Sequence, residues 1–202
     1  IGKKYGRKTG MRIASQGILN RNKEITFYFD SKPYKGFLGD TVASALLAND
    51  VHLVGRSFKY HRPRGILGIG SEEPNALISV HKGGRVEPNV RATVQEIYQG
   101  LIVTSQNSWP NLKFDALAIN DIAARFLSAG FYYKTFMWPP RFWEALYEPI
   151  IRRAAGLGRL DPKTDDDNYD QNFLFCDLLI IGGGPSGLLS ALLTARAGLD
   201  VI

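Results

Sequence analysis

Cysteine is nearly absent from this chain: among 202 residues there is one, Cys176. That count excludes an intramolecular disulfide and suits a reducing compartment. It also leaves a thiolate-held metal centre without ligands, because an iron–sulfur cluster needs a set of cysteine thiolates, in some proteins completed by histidines. The histidines are His52, His61 and His81, and their spacing is not that of a zinc site. No GxSxG elbow and no GKS or GKT phosphate loop is present. No apolar run approaches the roughly eighteen residues of a membrane span, and no signal-peptide pattern opens the chain. The sequence starts on Ile1 and stops at Ile202, inside an apparent strand, and so reads as a fragment. Cys176 stands at the entrance of an apolar strand, where packing is a better role for it than nucleophilic attack.

What is abundant is positive charge. The formal charge is +6, from 25 basic and 19 acidic side chains, and it is concentrated in two places. Lys3, Lys4, Arg7, Lys8 and Arg12 make a basic arm over residues 1–16. Arg56, Lys59, Arg62 and Arg64 lie in Gly55 to Pro74, a stretch with no steady period and dense in Gly, Pro and Arg, which is expected to be a long loop. Such loops inside a domain generally bind or cover something. Interleaved with Phe58, Tyr60 and His61, these cations suit phosphates, an RNA strand or a partner subunit; the simpler alternative is a solvated loop pinned by ion pairs. His61, among basic neighbours, is the candidate for a neutral hydrogen-bonding ring.

The chain divides by composition into a basic arm (1–16), a small mixed domain (17–106), a helical and aromatic linker (107–172) and the start of a nucleotide-binding domain (173–202). Glu24 to Asp30 reads as a strand that returns as a hairpin through Tyr34 to Leu38, and Thr41 to Asp50 as a helix capped by Asp40. Strand, strand, helix is the opening order of a β-grasp fold. Asn75 to His81 and Ala92 to Ile97 are further strand candidates, and Val51 to Val54 a short extended piece. Beyond Trp109, Phe114 to Leu127 has near-helical spacing, and Gly130 to Pro140 is an aromatic cluster suited to plug an interface. Arg141 to Ala155 is a helix expected to end or kink at Pro149, with Gly156 as its C-cap. Asp161 to Asp170 is a solvated acidic linker without the glycine and distal glutamate of a calcium loop.

Cys176 to Ile181 leads into Gly182, Gly183, Gly184, Pro185, Ser186 and Gly187, and then into a helix-forming run. Gly182, Gly184 and Gly187 fit GxGxxG after a strand and before a helix. The first glycine permits the turn, the second lets a pyrophosphate reach the backbone, and the third lets helix and strand pack. The bound phosphate would lie at the helix N-terminus. The predicted cofactor contacts are Gly182, Gly184, Pro185, Ser186 and Gly187, with no catalytic and no metal-binding residue. The fold class is α+β followed by α/β: a cluster-free ferredoxin-like β-grasp domain, an aromatic and acidic linker, and the first βαβ unit of a Rossmann-type domain.

Read together, GDTVASALLAND, VGRSFKYHRPRGILG, SEEPNAL, EPNVRATVQEIYQGL, GFYYKTFMWP, YEPIIRRAAGLGRL and CDLLIIGGGPSGLLSA resemble, in this order, the N-terminal part of the alpha subunits of heterotetrameric sarcosine oxidase. The resemblance runs from about Arg12 to the last residue. It implies a complex that oxidises sarcosine by hydride transfer to flavin, giving glycine, with oxygen then reduced to hydrogen peroxide. The one-carbon unit leaves as formaldehyde or as 5,10-methylenetetrahydrofolate. It further implies beta, gamma and delta partner subunits, a cytoplasmic location, FAD and covalent FMN on or against the beta subunit, NAD on this one, and no iron–sulfur cluster. The chemistry would belong to the beta subunit and the fragment alone would be inactive. The acidic residue that grips the adenosine ribose would lie past Ile202. Two alternatives stay open: another amine or opine oxidase subunit with FAD at the same turn, and an RNA-binding module using the basic loop.

Overall fold

A β-hairpin near the start of the chain lays down one edge of the main sheet. The computed structural model describes residues 12–13, 17, 19–122, 124, 138–154, 156–158, 161–163 and 168–202. In it β1 (Asn20–Phe29) and β2 (Lys32–Leu38) pair antiparallel, Phe27 opposite Tyr34. Asp30 and Ser31 join them with φ of 47° and 65°, the left-handed twist that a tight hairpin turn requires. Alternation along β1 puts Ile25, Phe27 and Phe29 on the buried face. Helix α1 (Val42–Ala48) lays Val42, Ala43, Ala45 and Leu46 into the same core.

The cap of α1 differs from expectation. Thr41, not Asp40, is the N-cap: its hydroxyl accepts from Ser44 N, and the Ser44 hydroxyl accepts from Thr41 N. Asp40 stands one residue too early and is buried, with Oδ2 accepting from Phe37 N at 2.8 Å and from the Arg12 guanidinium at 2.7 Å. Its Oδ1 accepts from the Ser44 hydroxyl. Arg12, which the charge pattern assigns to the basic arm, is therefore tied to the domain.

Two two-residue strands, β3 (Gly55–Arg56) and β4 (Pro63–Arg64), pair by themselves. β5 (Leu77–Lys82), β6 (Arg85–Arg91) and β7 (Ile102–Ser105) complete a five-stranded sheet in the order β2-β1-β7-β5-β6. β1 and β7 run parallel, while every other neighbouring pair is antiparallel. The expected strand at Ala92 to Ile97 is not one. It is a turn whose carbonyls receive α1, Ala43 N donating to Ala92 O and Val42 N to Gln95 O, so its burial comes from capping a helix. Val51 to Val54 likewise forms no strand and leads into β3.

The segment after the sheet is less helical than its pattern. Phe114 to Leu127 yields a 3-10 turn at Ala116–Ala118 and a four-residue helix at Ile119–Ile122 with no buried residue; Phe126 and Leu127 lie outside the described residues. Pro149 does not end the next helix. It comes just after the π-helical turn Trp143–Tyr147 and is the second residue of the α-helix Glu148–Ala154, so the helix widens just where the proline's ring and missing N–H would disturb an α-helical ladder. Gly156 follows with φ of 67°, as a C-terminal glycine does. Asp161, at the head of the acidic stretch, docks on β6 by accepting from Val86 N.

By contacts the chain separates into two units, Ile1–Lys163 and Thr164–Ile202. In the second, Ile180 N donates to Ile202 O and Ile202 N to Leu178 O, a parallel pairing on either side of the helix Pro185–Arg196. Leu179, Ile181 and Cys176 of this strand are exposed. One helix and one short pairing, all that is described of this unit, cannot cover both faces of a parallel strand.

Candidate functional site

The glycine turn has the geometry its sequence asks for. Gly182 takes φ of 116°, open to glycine and strained for other residues. A Cβ at Gly187 would stand 2.0 Å from Gly182 O, so the third glycine is fixed by turn and helix closing on each other. A Cβ at Gly184 would meet nothing within 4 Å, which leaves this backbone open to an approaching group. Gly184 is the helix N-cap and no side chain caps it. Pro185 and Ser186 begin the helix. Free amides at such an end carry partial positive charge and suit an anion.

The basic loop is organised quite differently from a phosphate-binding surface. Arg56 turns inward: Nε and Nη2 donate to Leu112 O at 3.0 and 2.7 Å, Nη2 also to Lys113 O, and Nη1 to His61 O. Asn107 Nδ2 donates to Arg56 O and Ser57 O, fastening the same stretch from the other side. Arg62 pairs with Asp121 and lies over the Tyr60 ring. His61, at φ of 54°, is fully buried, with Nδ1 2.7 Å from Asp115 Oδ2; its Nε2 has no hydrogen-bond partner among the described residues. Thus the ring that sequence set among cations faces a carboxylate. Arg56 and Arg62 thus fasten the loop to residues 107–121. Of the aromatic cluster Gly130 to Pro140, residues 130–137 lie outside the described residues; Trp138 is exposed.

Further along, the loop closes on two carboxylates that sequence reasoning missed. Glu73 is fully buried: Oε2 accepts from Leu67 N at 2.7 Å and from Gly68 N, Oε1 from Asn75 N at 2.7 Å and Ala76 N at 3.1 Å. Burial pushes its carboxyl up, but the amides of Asn75, Gly68, Leu67 and Ala76 outweigh that and hold it below the usual carboxylate range. Glu72, on the exposed side, accepts from Ile69 N and Gly70 N. A pair of acids in a glycine-rich loop was the available signal; the convergence of amides needed the fold.

This unit is a mixed α+β arrangement of a five-stranded sheet, one packed helix and an amide-lined loop, and residues 22–108 match the family described as 2Fe-2S iron-sulfur cluster binding domain. Over a longer stretch, the chain is similar to the alpha subunits of sarcosine oxidase. It is 59% identical over 191 residues to sarcosine oxidase subunit alpha of Rhizobium meliloti (strain 1021), covering 95% of this chain and 19% of that protein. To the subunit of the same name from Corynebacterium sp. (strain U-96) it is 31% identical over 187 residues, 91% of this chain and 14% of that one. The chain thus spans about a fifth or less of the length of these relatives. The crystal structure of L-proline dehydrogenase from P.horikoshii is a distant likeness, with a TM-score of 0.36 and 23% identity over 48% of this chain and 18% of that one.

The family match corrects one expectation. The view that no iron–sulfur cluster belongs with this domain is overturned by its likeness to a cluster-binding family. The donors here are a separate matter. Residues 22–108 contain no cysteine, and Cys176 is exposed and in the other unit. His52 and His81 are engaged with Asp50 and Thr104, and no group of three or more His, Cys, Asp or Glu suited to a metal occurs among the described residues. The residues present do not fit the group.

Proposed function

We propose that this chain is a portion of a sarcosine oxidase alpha subunit that contributes a structural ferredoxin-like domain and the first strand, glycine turn and helix of a Rossmann-type NAD site. The complex would oxidatively demethylate sarcosine to glycine with reduction of oxygen to hydrogen peroxide, releasing the one-carbon unit as formaldehyde after hydrolysis or passing it to tetrahydrofolate. FAD and covalent FMN would lie with the beta subunit, and the gamma and delta subunits would complete a cytoplasmic heterotetramer. The observation that carries this reading is the 59% identity maintained over 95% of the chain. No helix among the described residues is long and apolar enough to cross a membrane.

Gly182, Gly184, Pro185, Ser186 and Gly187 would hold the pyrophosphate through backbone amides at the start of the helix. NAD supplies a hydride-accepting nicotinamide when bound; the residues of this chain bind and orient only. Support comes from the open backbone at Gly184 and the uncapped helix end. In the full-length subunit Gly184→Val should lose the bound dinucleotide, read as NAD per subunit after denaturing extraction, while the subunit still assembles. Stoichiometric NAD in that variant would refute the site. FAD instead of NAD in the parent extract would favour the amine or opine oxidase alternative. Against the RNA reading, two of its four cations, Arg56 and Arg62, are engaged with internal partners.

A further inference from the structure

The disagreement between a cluster-binding family and a chain without the cysteines has a local form. Glu73, at the centre of the loop Leu67–Ala76, draws in the amides of Gly68 and Ala76. Gly68, Glu73 and Ala76 are separated by four and two residues. That is the C-x4-C-x2-C spacing of a plant-type 2Fe–2S loop, whose cluster sulfurs also accept backbone N–H groups. The loop is closed from the far side by Thr93, itself buried, whose hydroxyl donates to Gly70 O at 2.7 Å. Arg91 Nε donates to Glu73 O in the same region. A Cβ placed on Gly68 would stand 2.9 Å from Glu72 Oε1 and 3.2 Å from the N and Cα of Glu73. Ala76 has no exposed surface.

We propose that this loop is a cluster cradle filled from within: the Glu73 carboxylate takes the amides that cluster sulfurs would take, and Gly68, Glu73, Ala76 and Thr93 stand at the ligand positions. The carboxylate is a fitting replacement on chemical grounds. Convergent amides form a concavity that favours an anion, and buried N–H groups left without an acceptor would open the loop. Glu73 closes that concavity with charge and both oxygens, needing no metal. The small residues at 68 and 76 leave it room.

The test restores thiolates at these positions in the full chain. Gly68→Cys/Glu73→Cys/Ala76→Cys/Thr93→Cys, reconstituted anaerobically with ferric iron and sulfide, should take up the iron and sulfide of one 2Fe–2S cluster per chain and show visible absorption that dithionite bleaches; the parent chain treated alike gives the baseline. A variant with cysteines displaced by one residue, at 69, 74, 77 and 94, should gain nothing above that baseline. A folded first variant without cluster absorption, or equal uptake by the displaced one, would overturn the proposal. Should the first variant fail to fold, Glu73→Gln decides: amide exchange at Leu67, Gly68, Asn75 and Ala76 should quicken by about ten-fold or more, the scale of one lost charge-assisted bond. Unchanged exchange there would overturn the proposal as well.

Discussion

Replacing Arg56 with lysine keeps the charge of the loop and removes the fork that fastens it. Arg56 delivers four N–H···O contacts to three carbonyls, those of Leu112, Lys113 and His61. A lysine ammonium is a point donor that cannot span them. Bonds from a charged donor contribute about 1.5 kcal/mol or more each, and partial exposure lowers that, so loss of two or so sets the cost near 2 kcal/mol. Arg56→Met, which keeps the apolar stem and loses every bond, should cost about 3 kcal/mol. With a urea slope on the order of 2 kcal/mol/M, midpoints should fall by about 1 M for lysine and 1.5 M for methionine, the slope itself unchanged. The acceptors are backbone carbonyls, not carboxylates, so the loss should persist at about 0.5 M salt, where exposed ion pairs are largely screened. Urea titration followed by circular dichroism at both salt concentrations is sufficient. A methionine variant within about 0.3 M of the parent midpoint would refute the anchoring role.

Two further outcomes rest on single carboxylates. Asp115 accepts from Trp109 N and Leu117 N and faces His61, all through a fully buried side chain, so Asp115→Ala strands several groups and should cost about 3 kcal/mol; urea titration measures it, and a loss below about 1 kcal/mol would contradict the described network. Asp161 is held below the usual carboxylate range by the Lys163 and Val86 amides, so its contribution is complete above its unfolded pKa and disappears as pH falls through the folded one. Exchange at Val86, normalised for intrinsic rate, should therefore quicken on acidification below about pH 4 and lose that pH response in Asp161→Asn; an identical pH response in the variant would count against the docking.

The first hairpin and α1 are legible in the sequence because local pattern and tertiary role agree there: β1 alternates, and α1 presents its small apolar face to the sheet. β6 is not legible, since Pro88 lies in its middle. It survives because β6 is the outer strand of the sheet, where a missing N–H costs no ladder bond. β7 is only four residues long and gains its place from β1 and β5 on either side. Ala92 to Ile97 misleads in the opposite direction, being apolar because a helix end lands on it. At the glycine turn, spacing reveals the local geometry. Glu73 and Asp115 have no comparable local signal, as their partners arrive through loop closure or from distant residues.

The parallel pairing of β1 with β7 bears on the order in which the chain can fold. Tyr28 meets Ile102, while β1–β2 and β5–β6 each join strands separated by a short turn. The hairpins can therefore close early, on the microsecond scale of local pairing, but the middle of the sheet must await a long loop closure whose entropy is offset only at the end. Until β7 inserts, the inner margins of β1 and β5 lack their neighbour. That interval is when this domain is most open to mispairing with another copy, and its rate of passage through it is set by topology more than by the strength of any single contact.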